Sequence, residues 1–361
     1  MLEKRPSISV AQMVAMLFIS RMMVTMTYGT LLIGDSDMWD HILSAAVSFV
    51  ITAILVIPIY GLFSMDRKMN VLDNLQDVFG RFGLIFIVFY VGYYLMISAH
   101  TLAVFNNFMA SAINPPMSLT FLSIAITGSA CYGAYKGVEA LARTSGFILI
   151  VMVLSMLFMG VSLFTSIETI NYKPLLYDGT DSMVEGTLYM LSQATCIPAM
   201  AVLLPLARGK TKAGILVWNI CIYGVTALMI LLMVGTMGDF VKTQLFPVYT
   251  AAGIGKFGSF QHLDSLYLGI WTSGIFIKLS LFLMLAGEGV KKILGEKARK
   301  ISVLIFSAML VILTFCTENY NVSVAMFSTE FLLWSLGLIV VFIPLILIIG
   351  KGIKRKKFLS S

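Results

Sequence analysis

The chain has 361 residues, of which 59% are hydrophobic and only 12% charged, whereas ordinary globular domains are roughly a quarter charged. A water-soluble fold is excluded by that mixture. Nor does the net charge of +7 mark a nucleic-acid surface, because the bases are dealt out between apolar runs instead of being gathered in one patch.

A bilayer's hydrocarbon is about 30 Å thick and takes roughly 20 helical residues to cross. In chain order the apolar runs predict spans at approximately 8–33, 41–64, 82–112, 117–135 and 144–165, then 186–207, 214–238, 264–286, 300–316 and 330–350. Runs such as Ile148 to Phe158 and Leu338 to Ile349 are continuously apolar and lack the alternation of barrel strands, so the spans are helices. The first run is long, carries Arg21 and lacks a small-residue cleavage pattern, which makes it span 1 and not a cleaved signal. Between spans 2 and 3, Val71, Leu72, Leu75, Val78 and Phe79 share one helical face and Asp73 is placed to cap it. That pattern predicts a short interfacial helix over 70–79.

With these spans, 20 of the 25 bases face one side, among them Arg67, Lys68, Arg208, Lys210, Lys212, Lys291, Lys292 and the tail from Lys351. The other side holds Lys173, Lys242 and Lys256 and the acids Asp35, Asp37 and Asp40. By the positive-inside rule both termini of this multi-pass membrane protein are expected in the cytoplasm.

Span starts in the two halves are offset by roughly 170 to 190 residues, which suggests two five-helix units, 1–165 and 166–361, the second with a basic cytoplasmic tail. Five is odd, so the second unit enters from the opposite side. The expected fold is therefore an all-α integral membrane protein of about ten helices in a 5+5 inverted repeat. In that plan the site lies mid-membrane, at interruptions of helices 1 and 6. Span 1 carries the polar stretch Ser20, Arg21, Thr25, Thr27, Tyr28 and Gly29; span 6 carries Ser192, Gln193 and Thr195 before Pro198. A proline kink with hydroxyls bonded back to their own helix accounts for both equally well.

Two bases lie inside the membrane, Arg21 in span 1 and Lys278 in span 8. Each is read either as a partner for an anionic ligand or as a structural charge paired within the protein. In span 3, Tyr90, Tyr93 and Tyr94 share a face, which either closes over a substrate or packs against neighbours. Cofactor and metal sites are not expected. The four cysteines and three histidines are scattered, no Walker pattern occurs, and the glycines at 253, 255 and 258 follow no strand. Enzymatic activity has no support in these residues.

The segment YKGVEALARTS, Tyr135 to Ser145, resembles the link between helices 4 and 5 of the bacterial spore germination permeases, the membrane-embedded B subunits of germinant receptors. The resemblance extends to ISVAQ (Ile8 to Gln12), LLPLARGK (Leu203 to Lys210) and LDSLYLGIWTSGIFIKLSLF (Leu263 to Phe282), and so covers essentially the whole chain. It implies the fold of the amino acid, polyamine and organocation transporters and a location in the spore inner membrane. Other germinant-receptor subunits are the implied partners. It also implies a small germinant, commonly an amino acid, bound by Met23, Thr25, Tyr90, Val91, Ala199, Ile277 and Lys278. Two departures stand out: RMMVTMT (Arg21 to Thr27) replaces the family's usual glycines, and Ala199 replaces a frequent acidic residue. The expected function is germinant sensing by a transporter-fold subunit, with nutrient contacts at Arg21, Met23, Thr25, Tyr90, Tyr94, Gln193, Thr195, Ala199, Ile277 and Lys278. The alternative is a self-sufficient ion- or proton-coupled amino acid permease.

Overall fold

In the computed structural model, residues 7–28, 38–113, 118–172, 180–257, 260–261, 264–316 and 328–360 are described. Apart from two short strand pairs the chain is helical: α1 (Val10–Tyr28), α2 (Met38–Met65), α3 (Val71–Phe79), α4 (Gly83–Phe108), α5 (Leu119–Lys136) and α6 (Val138–Phe164) form the first half. The second half holds α7 (Asp181–Ser192), α8 (Ile197–Leu203), α9 (Thr211–Met237), α10 (Pro247–Ile254), α11 (Asp264–Leu294), α12 (Glu296–Cys316), α13 (Thr329–Leu336) and α14 (Ile343–Ser360).

Among the described residues, eight helical stretches are long and apolar enough to cross a membrane. Helices α5 and α12 occupy the fourth and ninth predicted positions and complete ten. They fall short of that measure because α5 is interspersed with Ser, Thr, Gly and Tyr and α12 opens on Glu296, Lys297, Arg299 and Lys300. In lipid an unpaired backbone group costs several kcal/mol, and a helix is the way an apolar segment satisfies all of its own.

Neighbours repeat under exchange of the two halves. Helix α2 packs on α7 as α9 packs on α1, α4 on α12 as α11 on α5, and α1 on α6 as α7 on α13; α2 meets α9 and α4 meets α11. A short parallel pairing of β1 (Ile8–Ser9) with β2 (Ala207–Arg208) places the start of α1 beside the end of the sixth span. The sixth span therefore crosses in the opposite sense to the first, as an inverted repeat demands. Burial then distinguishes inner from outer helices: over an 18-residue apolar stretch of each, 78% of α1, 89% of the α7–α8 span and 72% of α11 are buried, against 28% of α6. These three helices form the centre, while residues such as Ile57, Leu157 and Trp334 present apolar surface outward.

Two expectations are corrected. Helix α1 is continuous from Val10 to Tyr28, so the interruption expected near the middle of span 1 is absent there. The stretch contains neither Gly nor Pro, and the Ser20 and Thr27 hydroxyls donate to the Met16 and Met23 carbonyls of the same helix. Gly29, the remainder of the predicted disturbance, lies outside the described residues. The fifth helix begins at Val138, not near 144, because Gly137, at φ 87°, turns the chain sharply enough for α6 to follow α5 directly.

The interfacial helix is present as α3. Asn70 Oδ1 accepts from the Asp73 amide at 2.9 Å and the Asn70 amide donates to Asp73 Oδ2 at 3.1 Å, a complete capping box. Lys292 pairs with Asp73, Lys354 with Asp77, and Gln76 Nε2 donates to the Lys292 carbonyl at 2.8 Å. Gly83, at the start of α4, lies against the Leu75 carbonyl, where any Cβ would collide with backbone. Gly83→Ala is expected to displace α3 and cost about 1–3 kcal/mol. A lowered unfolding midpoint in detergent, with faster amide exchange over 71–79, is the measurement that checks this.

Candidate functional site

The site is built around the break in the sixth span. Pro198 has no amide to give the Ala194 carbonyl and its ring crowds that position, so the helix cannot run through. Helix α7 ends at Ser192, the Ala194 amide turns back to the Leu191 carbonyl (2.9 Å), and the Ile197 amide takes the Ala194 carbonyl (3.1 Å). Helix α8 then starts with Pro198 in its first turn, where proline is tolerated.

Because the Ala194 amide is diverted, the Met190 carbonyl loses its usual helical partner. Arg21 supplies a replacement: its Nη2 donates to the Met190 oxygen at 3.0 Å, while Nη1 reaches Thr25 Oγ1 at 3.4 Å. The guanidinium thus caps the negative end of α7 from α1, a favourable position for a cation. Arg21 is 2% exposed, and its Nε is buried without a partner among the described residues. The Tyr223 hydroxyl, which is paired with Thr52 Oγ1 at 2.7 Å, lies beside it.

The tyrosine face of α4 reaches the main chain of the break and of the first turn of α8. Tyr93 Oη donates to the Thr195 carbonyl within the break (2.9 Å) and Tyr94 Oη to the Pro198 carbonyl (3.1 Å). Tyr90 turns instead toward the tenth span, donating to Ile339 (3.0 Å) in the widened π-helical turn Gly337–Phe342 between α13 and α14. All three hydroxyls are therefore committed to main chain, a role their spacing alone does not disclose.

Lys278 projects from α11 and is 1% exposed. It lies within electrostatic reach of Arg21, Cys196 and His100, and Cys196, in the break, faces both cations. Among the described residues no carboxylate forms an ion pair with Arg21 or Lys278; the pairs present all lie elsewhere. Gln193, also in the break, donates through Nε2 to Ser192 Oγ (3.2 Å), leaving Oε1 buried and without an acceptor's partner among those residues. Nor do the described residues gather three His, Cys, Asp or Glu side chains suited to a metal ion.

The structure thus brings Arg21, Thr25, Gln193, Thr195 and Tyr94 to the break, with Lys278 facing it. Ala199 is fully buried in the first turn of α8, its amide on the Cys196 carbonyl at 3.1 Å. Met23 lies folded over Gly274 of α11, filling the space a Cβ would need, and Ile277 is buried beside Lys278. Tyr90 is the outlier, held on the tenth span. The sequence reading missed Cys196 within electrostatic reach of both cations, the Tyr223 hydroxyl, and the clamps on the far end of α1. There Tyr267 donates to the Met26 carbonyl and Trp271 Nε1 to Thr27 Oγ1 at 2.8 Å. Above them Phe105 stacks on Trp271, and Phe108 packs on Trp271, Phe246 and Tyr249, an aromatic cluster joining α4, α10 and α11.

Residues 7–322 match the family described as spore germination protein, the spore permeases. The chain belongs to that family. Spore germination protein XB of Bacillus anthracis is 25% identical over 185 residues, an alignment that spans about half of each protein: 50% of this chain and 52% of that one. A solved Na+-coupled sialic acid symporter, substrate-bound and outward-open, shares the fold with a TM-score of 0.61 at 11% identity, over 91% of this chain and 79% of that one. A spore permease of transporter fold, with its sixth helix broken at a buried cationic centre, is what the sequence encodes.

The tyrosine clamps give a direct expectation for this spore permease. Tyr93→Phe leaves the Thr195 carbonyl buried and unpaired, at a cost of about 1–3 kcal/mol. A lower unfolding midpoint with exchange accelerated over 193–198 is expected. Tyr132→Phe, an exposed position, is the control and should change neither.

Proposed function

We propose that this spore permease is the membrane-embedded sensor of a germinant receptor and binds a carboxylate-bearing nutrient, an amino acid in the first instance, at the break between α7 and α8. The observation that carries this reading is the pair of buried cations, Arg21 and Lys278, with no anionic partner among the described residues. Holding unneutralised charge in a membrane interior is costly, and an incoming carboxylate offsets that cost for both residues at once. Gln193 Oε1 offers an acceptor to the ligand's ammonium, with Thr25 and Thr195 as further polar contacts. Met23, Ala199 and Ile277 supply the apolar wall, and the side chains of Tyr90 and Tyr94 stiffen it. In this reading the two repeats, 1–165 and 166–361, meet at the ligand, both termini are cytoplasmic, and the protein resides in the spore inner membrane with the other receptor subunits.

Purified protein should be stabilised by one or more free amino acids and not by their carboxamides. Saturation at a hundredfold excess over Kd corresponds to about 2.7 kcal/mol. Lys278→Met should abolish the response, and Arg21→Gln should weaken it while also lowering basal stability through loss of the Met190 cap. Equal stabilisation by acid and carboxamide would sink the proposal.

The transporter fold also favours a second reading, a self-sufficient ion- or proton-coupled amino acid permease. Proteoliposomes holding this protein alone distinguish the two: accumulation of labelled amino acid supports the permease, whereas ligand stabilisation without flux supports the sensor.

A further inference from the structure

Outside the central site, a lateral groove of about 840 Å³ lies between α2 and α9, on the side where the bases gather. Its upper walls are apolar and outward-facing, with Ala53 and Ile57 from α2 and Leu216 from α9. Its mouth is cationic: Arg67, Lys210 and Lys212 line it, and no acidic residue does. Among the described residues none of these three bases has an ion-pair partner. The N-terminus of α9 opens onto the same mouth with no side-chain cap and no acid in its first turn, so its positive end is uncompensated by the protein. About 10 Å deeper along α9, Trp218 lines the groove at 1% exposure, and its indole Nε1 is a buried donor without a partner among the described residues.

We propose that this groove binds one anionic phospholipid, its phosphate on Arg67, Lys210, Lys212 and the first amides of α9, and its acyl chains along Ile57 and Leu216. An ester carbonyl at the depth of Trp218 is the acceptor its indole lacks. Charge complementarity selects an anionic headgroup over a zwitterionic one. The groove also abuts both repeats at their shared face, since α2 carries Thr52 and α9 carries Tyr223, the hydroxyl pair beside Arg21. The bound lipid is thereby linked to the centre through a single hydrogen bond.

The test uses the full chain in nanodiscs and in detergent, probed with phosphatidylglycerol and phosphatidylcholine by native mass spectrometry and thermal unfolding. One phosphatidylglycerol per chain should be retained in preference to phosphatidylcholine. Each surface base contributes about 1 kcal/mol, roughly fivefold, so Arg67→Gln/Lys210→Gln/Lys212→Gln should reduce retention by more than about tenfold. Lys297→Gln/Lys300→Gln, at a separate basic turn, should leave it unchanged. Trp218→Phe, which keeps the packing and removes the donor, should weaken retention by a few fold. Equal retention of both lipids, a triple variant that still holds phosphatidylglycerol, or a copurifying polypeptide seated on the groove in place of lipid would overturn the proposal. So would phosphatidylglycerol displaced as readily by inorganic phosphate, which would mark a simple anion site.

Discussion

The contact between the Arg21 guanidinium and the Met190 carbonyl is the constraint on which the centre of this protein rests. A helix cannot stop inside hydrocarbon unless its freed backbone groups find partners. Pro198 imposes the stop, and two outside donors make it tolerable, Arg21 from α1 at Met190 and Tyr93 from α4 at Thr195, while Tyr94 from α4 adds a bond to the Pro198 carbonyl at the start of α8. The first and third helices are in this way committed to the sixth by hydrogen bonds and not only by packing. The donors are unequal. A tyrosine hydroxyl is neutral and satisfied by one carbonyl, whereas the guanidinium brings a full charge that one carbonyl does not neutralise. The residue that secures the break therefore also leaves it electropositive.

In the proposed function, that excess is what gives the centre its preference for a carboxylate. Lys278 adds a second cation from α11, and Cys196 lies within electrostatic reach of both. Where related permeases are expected to present main-chain amides at glycines, the proposed site of this chain relies on side-chain charge, and Met23 is folded into the space over Gly274. Recognition by charge is less demanding of backbone geometry than recognition by exposed amides, which fits a first helix that continues unbroken past Arg21.

Much of this was legible in the residues. Apolar runs located the spans, Pro198 after Gln193 and Thr195 located the break, and Asn70 with Asp73 announced the interfacial helix. What was not legible has a common cause: a hydroxyl or a guanidinium in a membrane helix reads the same whether it serves its own helix, a neighbour's backbone or a ligand. Ser20 and Thr27 looked like a disturbance of α1 and instead bond back within it. Tyr90 and Tyr94 looked like one face over one pocket, yet their hydroxyls go to different spans, and the π-helical turn that receives Tyr90 contains no proline to betray it. The residues Val138 to Arg143 read as a link between spans and are helical, because Gly137 makes the turn alone.

The short pairing of Ile8 and Ser9 with Ala207 and Arg208 has a mechanical consequence. It fastens the entry of the first helix to the exit of the sixth, and the Ser7 amide, bonded to Glu139 Oε1 at 3.0 Å, adds the foot of α6 to the same knot. Three elements from both repeats are thus pinned at one membrane face, while on the other face, among the described residues, α1 is held by the Tyr267 and Trp271 side chains. A rearrangement at the break would therefore be levered about the knotted end, magnified toward the aromatic cluster and damped toward the basic surface.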